Sequence, residues 1–574
     1  MFRSNQGHRQ QSYFDGHQWL PDSLRQQLES SWADTFYREV FSRIPEEIFA
    51  PLYSEAASRP NVPVNVLMGV EILKSGYGWS DLELMDHVRF DLQVRHALGL
   101  DDLRAEVFTL RTVYNFRRRV REYGAETGIN LYGQVFEQVT DEQLAALSVK
   151  TGWQRMDSTQ VLSNLANWSR LELLIGVVQE AYAALPADVQ DQWAEDVAAY
   201  LEGRPQQVSY RLKSSETAAH LQQLGEVLMA WEAELAQATP ESEALALVRR
   251  VLAEQYERTP EGVVVRAAEA VPSTSLQSPY DPEATYRKKG SKSYRGGYVV
   301  NVSETADPEN PVQLLVDLEV APNTTDDSAL LSHSLTGQAE REIAVEQVTV
   351  DGGYTGPAAE QACEDQQVEL RPTRLRGGKS RGDQWGCEAY TWEVDAEGRP
   401  VRVTCPEGQT AEVRQGRKPS RYLARFDRER CADCPFFQHQ CQVRERKRVP
   451  PTLYVTQRAV TVAQQRQRLR PEDRSIRAVV EASVRSLKQS LRGDKLPVRG
   501  LTRAQMFLFG AAMMVNLRRV HGYESEKPQK SGEMAVSILS RALQAIFACI
   551  QHIRATFDPL LSHKSLSTLN VSRA

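Results

Sequence analysis

The chain contains five strand-like segments whose order restricts its fold more than any other feature. The segments are Trp153–Leu162, 297–304, 312–320, 345–350 and 368–371. A helical pattern over residues 326–341 separates the third segment from the fourth, and a further helical pattern follows at 474–491. Strands followed by a helix, another strand and a final helix predict an α/β fold that is interrupted by two long insertions.

Two aspartates, one within a strand and one directly after a strand, form a candidate metal site. Asp157 lies within the first strand, and Asp351 directly follows the fourth, at the turn formed by Gly352 and Gly353. Clustered carboxylates repel one another, which raises their pKa values unless a cation is bound. Mg²⁺ prefers hard oxygen ligands of this kind. Each aspartate taken alone is more often a turn or cap residue, so the metal-site hypothesis depends on their combination.

The helix predicted at residues 474–491 supplies a third acid. Because an α-helix turns by about 100° per residue, Arg477, Glu481 and Lys488 fall on one face, beside an apolar stripe. Other cations on or beside this helix are Arg474, Arg485 and Arg492. A single carboxylate among so many cations indicates a metal beside a polyanionic substrate, and the alternative is an ordinary exposed basic face.

The charge distribution favours nucleic acid as the partner of this region. The whole chain has a net charge of -6, but residues 441–520 contain 18 Lys and Arg against 5 Asp and Glu. Residues 171–261 are instead rich in acids. A sign asymmetry of this kind is a better guide to partners than the total charge. The sequence has no apolar run long enough for a membrane span and no signal-peptide pattern, so we expect a cytoplasmic, nucleoid-associated protein with no membrane partner.

A helical unit precedes the strands, at about residues 62–123. Ser80 and Glu83 have the spacing of a capping box, which marks the start of a helix after a tight turn. A third helix, predicted at 109–122, carries Arg117, Arg118 and Arg119. This order is typical of a helix-turn-helix-like DNA-binding domain. A plain helical bundle with a solvated basic face fits the pattern equally well.

Four of the seven cysteines lie close together in the second insertion. They are Cys405, Cys431, Cys434 and Cys441. One C-x-x-C pair with two outlying cysteines indicates a structural Zn²⁺ site, in which His439 could replace one thiolate, and reduced structural thiols are the alternative. Many arginines surround the cluster, which favours a position against DNA. Cys363, Cys387 and Cys549 are expected to be apolar fillers.

These motifs together resemble the DDE transposases of bacterial insertion sequences. The helix matches the family pattern Y-x-x-R-x-x-x-E-x-x-x-x-x-x-K through Arg477, Glu481 and Lys488, with Arg474 at the tyrosine position. MDST at Asp157 and VTVDGGYTG at Asp351 resemble the segments around the family's two aspartates. The segment at 499–520 and the N-terminal helical unit are also similar to their counterparts in the family.

The resemblance implies an RNase H-like catalytic core in which Asp157, Asp351 and Glu481 hold two Mg²⁺ or Mn²⁺ ions. It implies that the enzyme hydrolyses double-stranded DNA at the transposon ends and joins the freed 3′-hydroxyl to target DNA. DNA contacts are expected from the basic residues Arg117, Arg118, Arg119, Arg474, Arg477, Arg485, Lys488 and Arg492. A homodimer on paired ends is expected. The alternatives are a domesticated DNA-binding protein and an RNase H-like nuclease without strand transfer.

The predicted organisation has six parts. They are an N-terminal arm (1–60), a helical DNA-binding domain (61–125), a catalytic core in three pieces (151–170, 285–373 and 455–520), a helical insertion (171–270), a cysteine-rich, zinc-ribbon-like insertion (375–450) and a helical tail (521–574).

Overall fold

The computed structural model describes most of residues 1–526. The residues left out of it are 10–18, 55, 57–59, 101, 104–105, 290, 374–383, 396, 419, 438, 447–448, 468–472 and 527–574, and side chains are also left out at 9, 445–446 and 473–478. Cys549 and most of the predicted C-terminal tail therefore lie outside the described residues. Within those residues, no helix combines the length and the apolarity that crossing a bilayer requires.

Helices fill the N-terminal region. They are α1 (Asp22–Glu29), α2 (Trp32–Glu39), α3 (Val64–Tyr77), α4 (Asp81–Phe90), α5 (Leu92–Ala97), α6 (Leu110–Thr127) and α7 (Leu131–Ala146). The predicted capping box is confirmed, because the Ser80 hydroxyl accepts from the Glu83 N–H and the Glu83 carboxylate accepts from the Ser80 N–H. Gly78 ends α3 with a φ of 71°, a left-handed conformation that favours glycine.

A helical insertion follows the first strand. Strand β1 spans Trp153–Leu162, as predicted. After it come α8 (Arg170–Ala184), α9 (Ala187–Leu201), α10 (Pro205–Arg211), α11 (Thr217–Ala238), α12 (Glu243–Gln255) and the hairpin of β2 (Tyr256–Thr259) and β3 (Gly262–Val265). These helices surround their own apolar cluster, which includes Leu174, Leu228 and the buried Trp231.

The remaining strands of the central sheet follow the insertion. They are β4 (Thr285–Lys289), β5 (Lys292–Thr305), β6 (Leu315–Pro322), β7 (Gln347–Val350) and β8 (Glu369–Pro372), with α13 (Asp327–Glu340) and α14 (Pro357–Asp365) between the last three. Strand β5 pairs antiparallel with β1, β4 and β6, whereas β7 lies parallel between β1 and β8. This six-stranded mixed sheet confirms the predicted α/β class.

The cysteine-bearing segment forms a second sheet. It contains β9 (Thr391–Val394), β10 (Pro400–Thr404), β11 (Thr410–Gln415), β12 (Arg421–Arg425), α15 (Arg428–Ala432), β13 (Arg444–Arg446) and β14 (Val449–Thr456). Its apolar cluster includes Trp392, Leu453 and Val460, separate from the core of the central sheet. The chain then continues through α16 (Gln457–Gln467), α17 (Asp473–Leu487) and α18, whose described residues are 501–526.

The two faces of the central sheet have different cores. Met156 packs with Leu331 and Leu335 of α13, so that face is covered by α13 and α14. Helix α17 packs against β1 and β7. The largest apolar cluster joins the N-terminal helices, β1, β5, β6 and α18. Because it is continuous, the N-terminal region is part of one packed body with the sheet.

Candidate active site

Asp157 occupies the middle of β1 and lies on the face opposite α13. Successive side chains of a strand point to opposite faces, and Met156 and Ser158 both contact the α13 side: Met156 packs there, and the Ser158 hydroxyl donates to Asp327 Oδ1 at 3.0 Å. Asp157 is half-buried, and its Oδ1 accepts from the Ser158 N–H at 3.0 Å. The strand thus presents Asp157 on the face where Arg155 also lies.

Asp351 lies beside Asp157 at the end of the neighbouring parallel strand. The pairing of β1 with β7 matches Trp153 with Gln347 and Arg155 with Thr349. Continuing this register places Asp157 opposite Asp351, and adjacent strands are about 4.8 Å apart. The Asp351 carboxylate accepts from the Gly353 N–H, which fixes it in the turn after β7. Two predicted aspartates are therefore brought together.

Three residues near the two aspartates were not predicted from the sequence. They are Tyr354, Asn301 and Asp327. Tyr354 is fully buried, and its hydroxyl donates to Asn301 Oδ1 at 2.6 Å. Burial raises the pKa of Tyr354, and the negative charges of Asp157, Asp327 and Asp351 raise it further. The phenol lies with Asn301 on the α13 face of the sheet, within electrostatic range of the three carboxylates. In the sequence, Asp327 shows only the signal of a helix start, next to Asp326, the N-cap of α13.

Glu481 is on α17, which is shorter than predicted because its regular part ends at Leu487. Val480 and Leu487 are buried, whereas Glu481 is exposed. An open groove of about 660 Å³ runs along this exposed side. It is lined by Glu481, Val484, Arg485, Ser486, Lys488, Gln489 and Asp494. One predicted acid and two predicted cations thus share a groove.

The predicted DNA-contacting residues near α17 differ in exposure, and the structure describes the side chains of only some of them. Arg485 and Arg492 are exposed. The Lys488 ammonium lies 3.3 Å from the Asp494 carboxylate and is largely covered. Arg474 and Arg477 belong to α17, but their side chains lie outside the described part, so their place in the site stays a prediction.

The arginines of α6 make contacts within the protein. Arg117 is ion-paired with Glu71 at 2.7 Å and with Asp81 at 2.8 Å. Arg118 pairs with Glu122 on the same helix, and the Arg119 guanidinium lies 4.9 Å from the ring centre of Tyr53. The role of these arginines as DNA contacts stays a prediction, and Arg117 also has a structural role.

The four clustered cysteines line one pocket of about 360 Å³ in the second sheet, and the alternative ligand His439 is not among its lining residues. All four thiols are free. Burial, together with the neighbouring Cys441, Cys405 and Cys434, raises the pKa of Cys431 to about 11. Throughout the described chain, no group of three or more His, Cys, Asp or Glu side chains is already arranged to hold a metal ion.

Comparison with known protein families gives two matches. Residues 404–521 match the model of the Transposase DDE domain, and residues 25–119 match that of a Transposase domain (DUF772). These matches support a DDE transposase of an insertion-sequence type. Such transposases act on DNA and generally use divalent metal ions. Neither the curated proteins nor the solved structures searched give a match. The DDE match contains Glu481 and the four cysteines, whereas Asp157 and Asp351 lie outside it.

Proposed function

We propose that the protein is a DNA transposase that binds the ends of its element, cleaves them with metal ions and joins the freed 3′-hydroxyl to target DNA. The observation that carries the proposal is the register of β1 and β7, which, continued two residues beyond the pair of Arg155 with Thr349, would set Asp157 opposite Asp351. Helix α17, which carries Glu481, packs against the same two strands. The three acids named by the sequence motifs therefore belong to adjoining elements.

We infer that the catalytic core is RNase H-like. The support is the topology: β1, β5 and β6 form an antiparallel series, and β7 and β8 extend the sheet from β1 in parallel. A helix precedes each of these parallel strands, and α17 returns to the sheet after the second insertion. The insertions leave this order intact because each is built around its own apolar cluster.

Asp157, Asp351 and Glu481 would hold two Mg²⁺ or Mn²⁺ ions. Their donor set fits, because all three offer the hard carboxylate oxygens that these cations prefer. Bound ions would supply Lewis acidity at the scissile phosphate and lower the pKa of the attacking water. In the first step, water oxygen bonds to phosphorus and the bond to the 3′-oxygen breaks. In the second, the freed 3′-hydroxyl replaces a 3′-oxygen of target DNA.

The groove beside Glu481 would hold the DNA backbone. Arg485 and Lys488 line it, and Arg492 is exposed shortly after α17. Arg474 and Arg477 would extend this basic surface along the helix. Phosphate contacts from such residues position DNA without reading its sequence. Holding two ends for coordinated transfer would require two copies of the chain, so we propose a homodimer on paired ends.

The decisive experiment compares Glu481→Gln with Glu364→Gln, which changes an exposed glutamate of α14. Labelled end DNA is incubated with each protein and Mg²⁺. We expect Glu481→Gln to lower cleavage at least about 1000-fold while end binding stays within about twofold, because a metal ligand is lost and the shape is kept. The control should cleave like the wild type.

Each other outcome supports a different protein class. Wild-type cleavage without joined product would indicate a nuclease, and retardation without cleavage would indicate a DNA-binding protein. An equal loss of binding in Glu481→Gln would make this residue structural and remove the metal assignment.

We also propose that Cys405, Cys431, Cys434 and Cys441 hold one structural Zn²⁺. The support is their shared pocket and their thiol donor set, which suits tetrahedral zinc. Elemental analysis should give about one zinc per chain, with loss in Cys431→Ser but not in Cys363→Ala, which alters a cysteine in another apolar cluster. A folded wild type without zinc would refute this site.

A further inference from the structure

A buried polar network connects α17 to the central sheet. Glu304 of β5 is almost completely buried, and it is the cross-strand partner of Arg155 on β1. The Arg155 guanidinium lies 2.6 Å from Glu304 Oε1, and that of Arg519, from α18, lies 3.0 Å from the same oxygen. The Ser483 hydroxyl of α17 donates to Glu304 Oε2 at 2.5 Å.

Ser483 is the link between the network and α17. Its oxygen also accepts a hydrogen bond from Arg519 Nη2 at 2.6 Å, so both its donor and its acceptor capacity are used. The side chain is buried. A buried polar group is costly to leave without partners, so this arrangement strongly favours one orientation of the helix.

The orientation matters because Ser483 and Glu481 lie on opposite flanks of the buried stripe of α17. Two residues along a helix correspond to a rotation of about 200°. Val480 and Leu487, which form the buried stripe, are apolar, so their side chains offer no hydrogen bond that would fix the rotation of the helix. Side chains end about 5–6 Å from that axis, so a rotation of about 10° displaces a carboxylate by about 1 Å. Errors of that size are large for catalysis.

We propose that Ser483, held by Glu304 and Arg519, is a positioning residue that sets the rotation of α17 and so places Glu481 relative to Asp157. The network reaches Asp157 through β1, because Arg155 lies two residues before it on the same face of the strand. The proposal rests on the proposed role of Glu481 in metal-dependent cleavage and adds the group that aligns it.

The test is Ser483→Ala in the full-length protein, with Ser334→Ala as the matched control. Ser334 is a buried serine of α13 that donates to Asp317 Oδ2 at 2.6 Å and accepts from Gln338. Both variants lose a buried hydroxyl that bonds a carboxylate, but α13 does not carry Glu481. Each protein is bound to a duplex with the terminal sequence of the encoding element, and cleavage is followed as Mn²⁺ is varied.

We expect Ser483→Ala to cleave about 10- to 100-fold more slowly, with a Mn²⁺ midpoint raised severalfold. Binding of the duplex should stay within about twofold, and Ser334→Ala should match the wild type in rate and midpoint. Equal rates, an unchanged Mn²⁺ midpoint in Ser483→Ala, or an equal loss in Ser334→Ala would each overturn the positioning role.

A second readout separates this proposal from the proposed function. The dissociation constant of Mn²⁺ for the DNA complex is measured by electron paramagnetic resonance in the wild type and both variants. A wild type without cleavage would overturn the proposed function. The Mn²⁺ constants would still decide the positioning role, which requires weaker binding in Ser483→Ala alone.

Discussion

Helices α6 and α17 are both rich in basic residues, yet the structure uses their charges differently. On α6, Arg117 is engaged by Glu71 and Asp81, and four-fifths of its side chain is covered. On α17, Arg485 is exposed and lines an open groove together with Glu481. A basic helix can therefore serve the internal packing of a protein or face a polyanion, and its composition does not distinguish the two.

The difference arises from acids that other elements supply. Glu71 belongs to α3 and Asp81 begins α4, so the partners of Arg117 are distant in the sequence. Just after α17, Lys488 contacts Asp494, which is only six residues away in the sequence. Removing a basic residue should therefore affect stability on α6 and DNA binding on α17.

The largest effect is expected from Arg117→Met, which keeps the length of the side chain and removes its charge. The change leaves Glu71 and Asp81 partly buried without their main cation, so the free energy of unfolding should fall by about 3 kcal/mol. Urea unfolding measures this, and the salt dependence of end binding should keep its slope.

Arg118→Met is the control on the same helix. Arg118 forms an exposed pair with Glu122, and such pairs contribute at most about 0.5 kcal/mol. If Arg117→Met kept wild-type stability but reduced the salt slope of DNA binding, Arg117 would be a DNA contact and the contrast between the helices would disappear.

A smaller effect is expected from pH. Burial tends to raise the pKa of Asp81, but hydrogen bonds from Arg117 and Lys74 outweigh it and lower the value from 3.8 to about 2. Because the folded pKa is below the unfolded one, the stabilisation is complete above about pH 4 and is lost as the pH falls towards 2. Allowing for solvent screening, it amounts to about 1–2 kcal/mol.

Urea unfolding of the wild type and of Asp81→Asn at pH 7, 4 and 2.5 measures this contribution. The difference between the two proteins should be largest at pH 7 and should shrink below pH 4. A difference that stays constant across this range would mean that the ionised Asp81 carboxylate adds nothing to stability.

The sequence predicted those elements whose signal is local, and it did not predict features that depend on residues far apart in the chain. Five of the six central strands were predicted within about five residues because alternation and apolar runs are local signals, and Trp153–Leu162 matches the observed strand β1, whereas β4 was not predicted. The signal of the capping box at Ser80 was equally local. The second sheet was not predicted, because its short strands, such as β9 and β10, are rich in polar residues and lie among glycines.

For the site, the motifs predicted Asp157, Asp351 and Glu481. The register of β1 and β7, continued by two residues, brings the two aspartates opposite each other, and the catalytic role of all three acids stays a prediction. Tyr354 and Glu304 were not identified. Their importance depends on a packed sheet that buries the Tyr354 hydroxyl beside Asn301 and the Glu304 carboxylate beside Ser483. Neither contact has a signal in any sequence window, because the partners are more than 50 residues apart.

The smallest effect is expected from Arg485→Gln on α17. This residue is exposed and lines the groove, so its loss should change the free energy of unfolding by less than about 0.5 kcal/mol. If it contacts a phosphate, end binding should weaken by about fivefold to tenfold and the salt slope should fall by about 1. The control is Arg249→Gln on the acidic insertion, where an exposed arginine pairs with Glu232.

Because a phosphate contact reads no sequence, Arg485→Gln should weaken binding to end DNA and to unrelated DNA equally. A loss confined to end DNA would instead make α17 a sequence-reading element, and an unchanged slope would leave both basic helices without a demonstrated DNA contact.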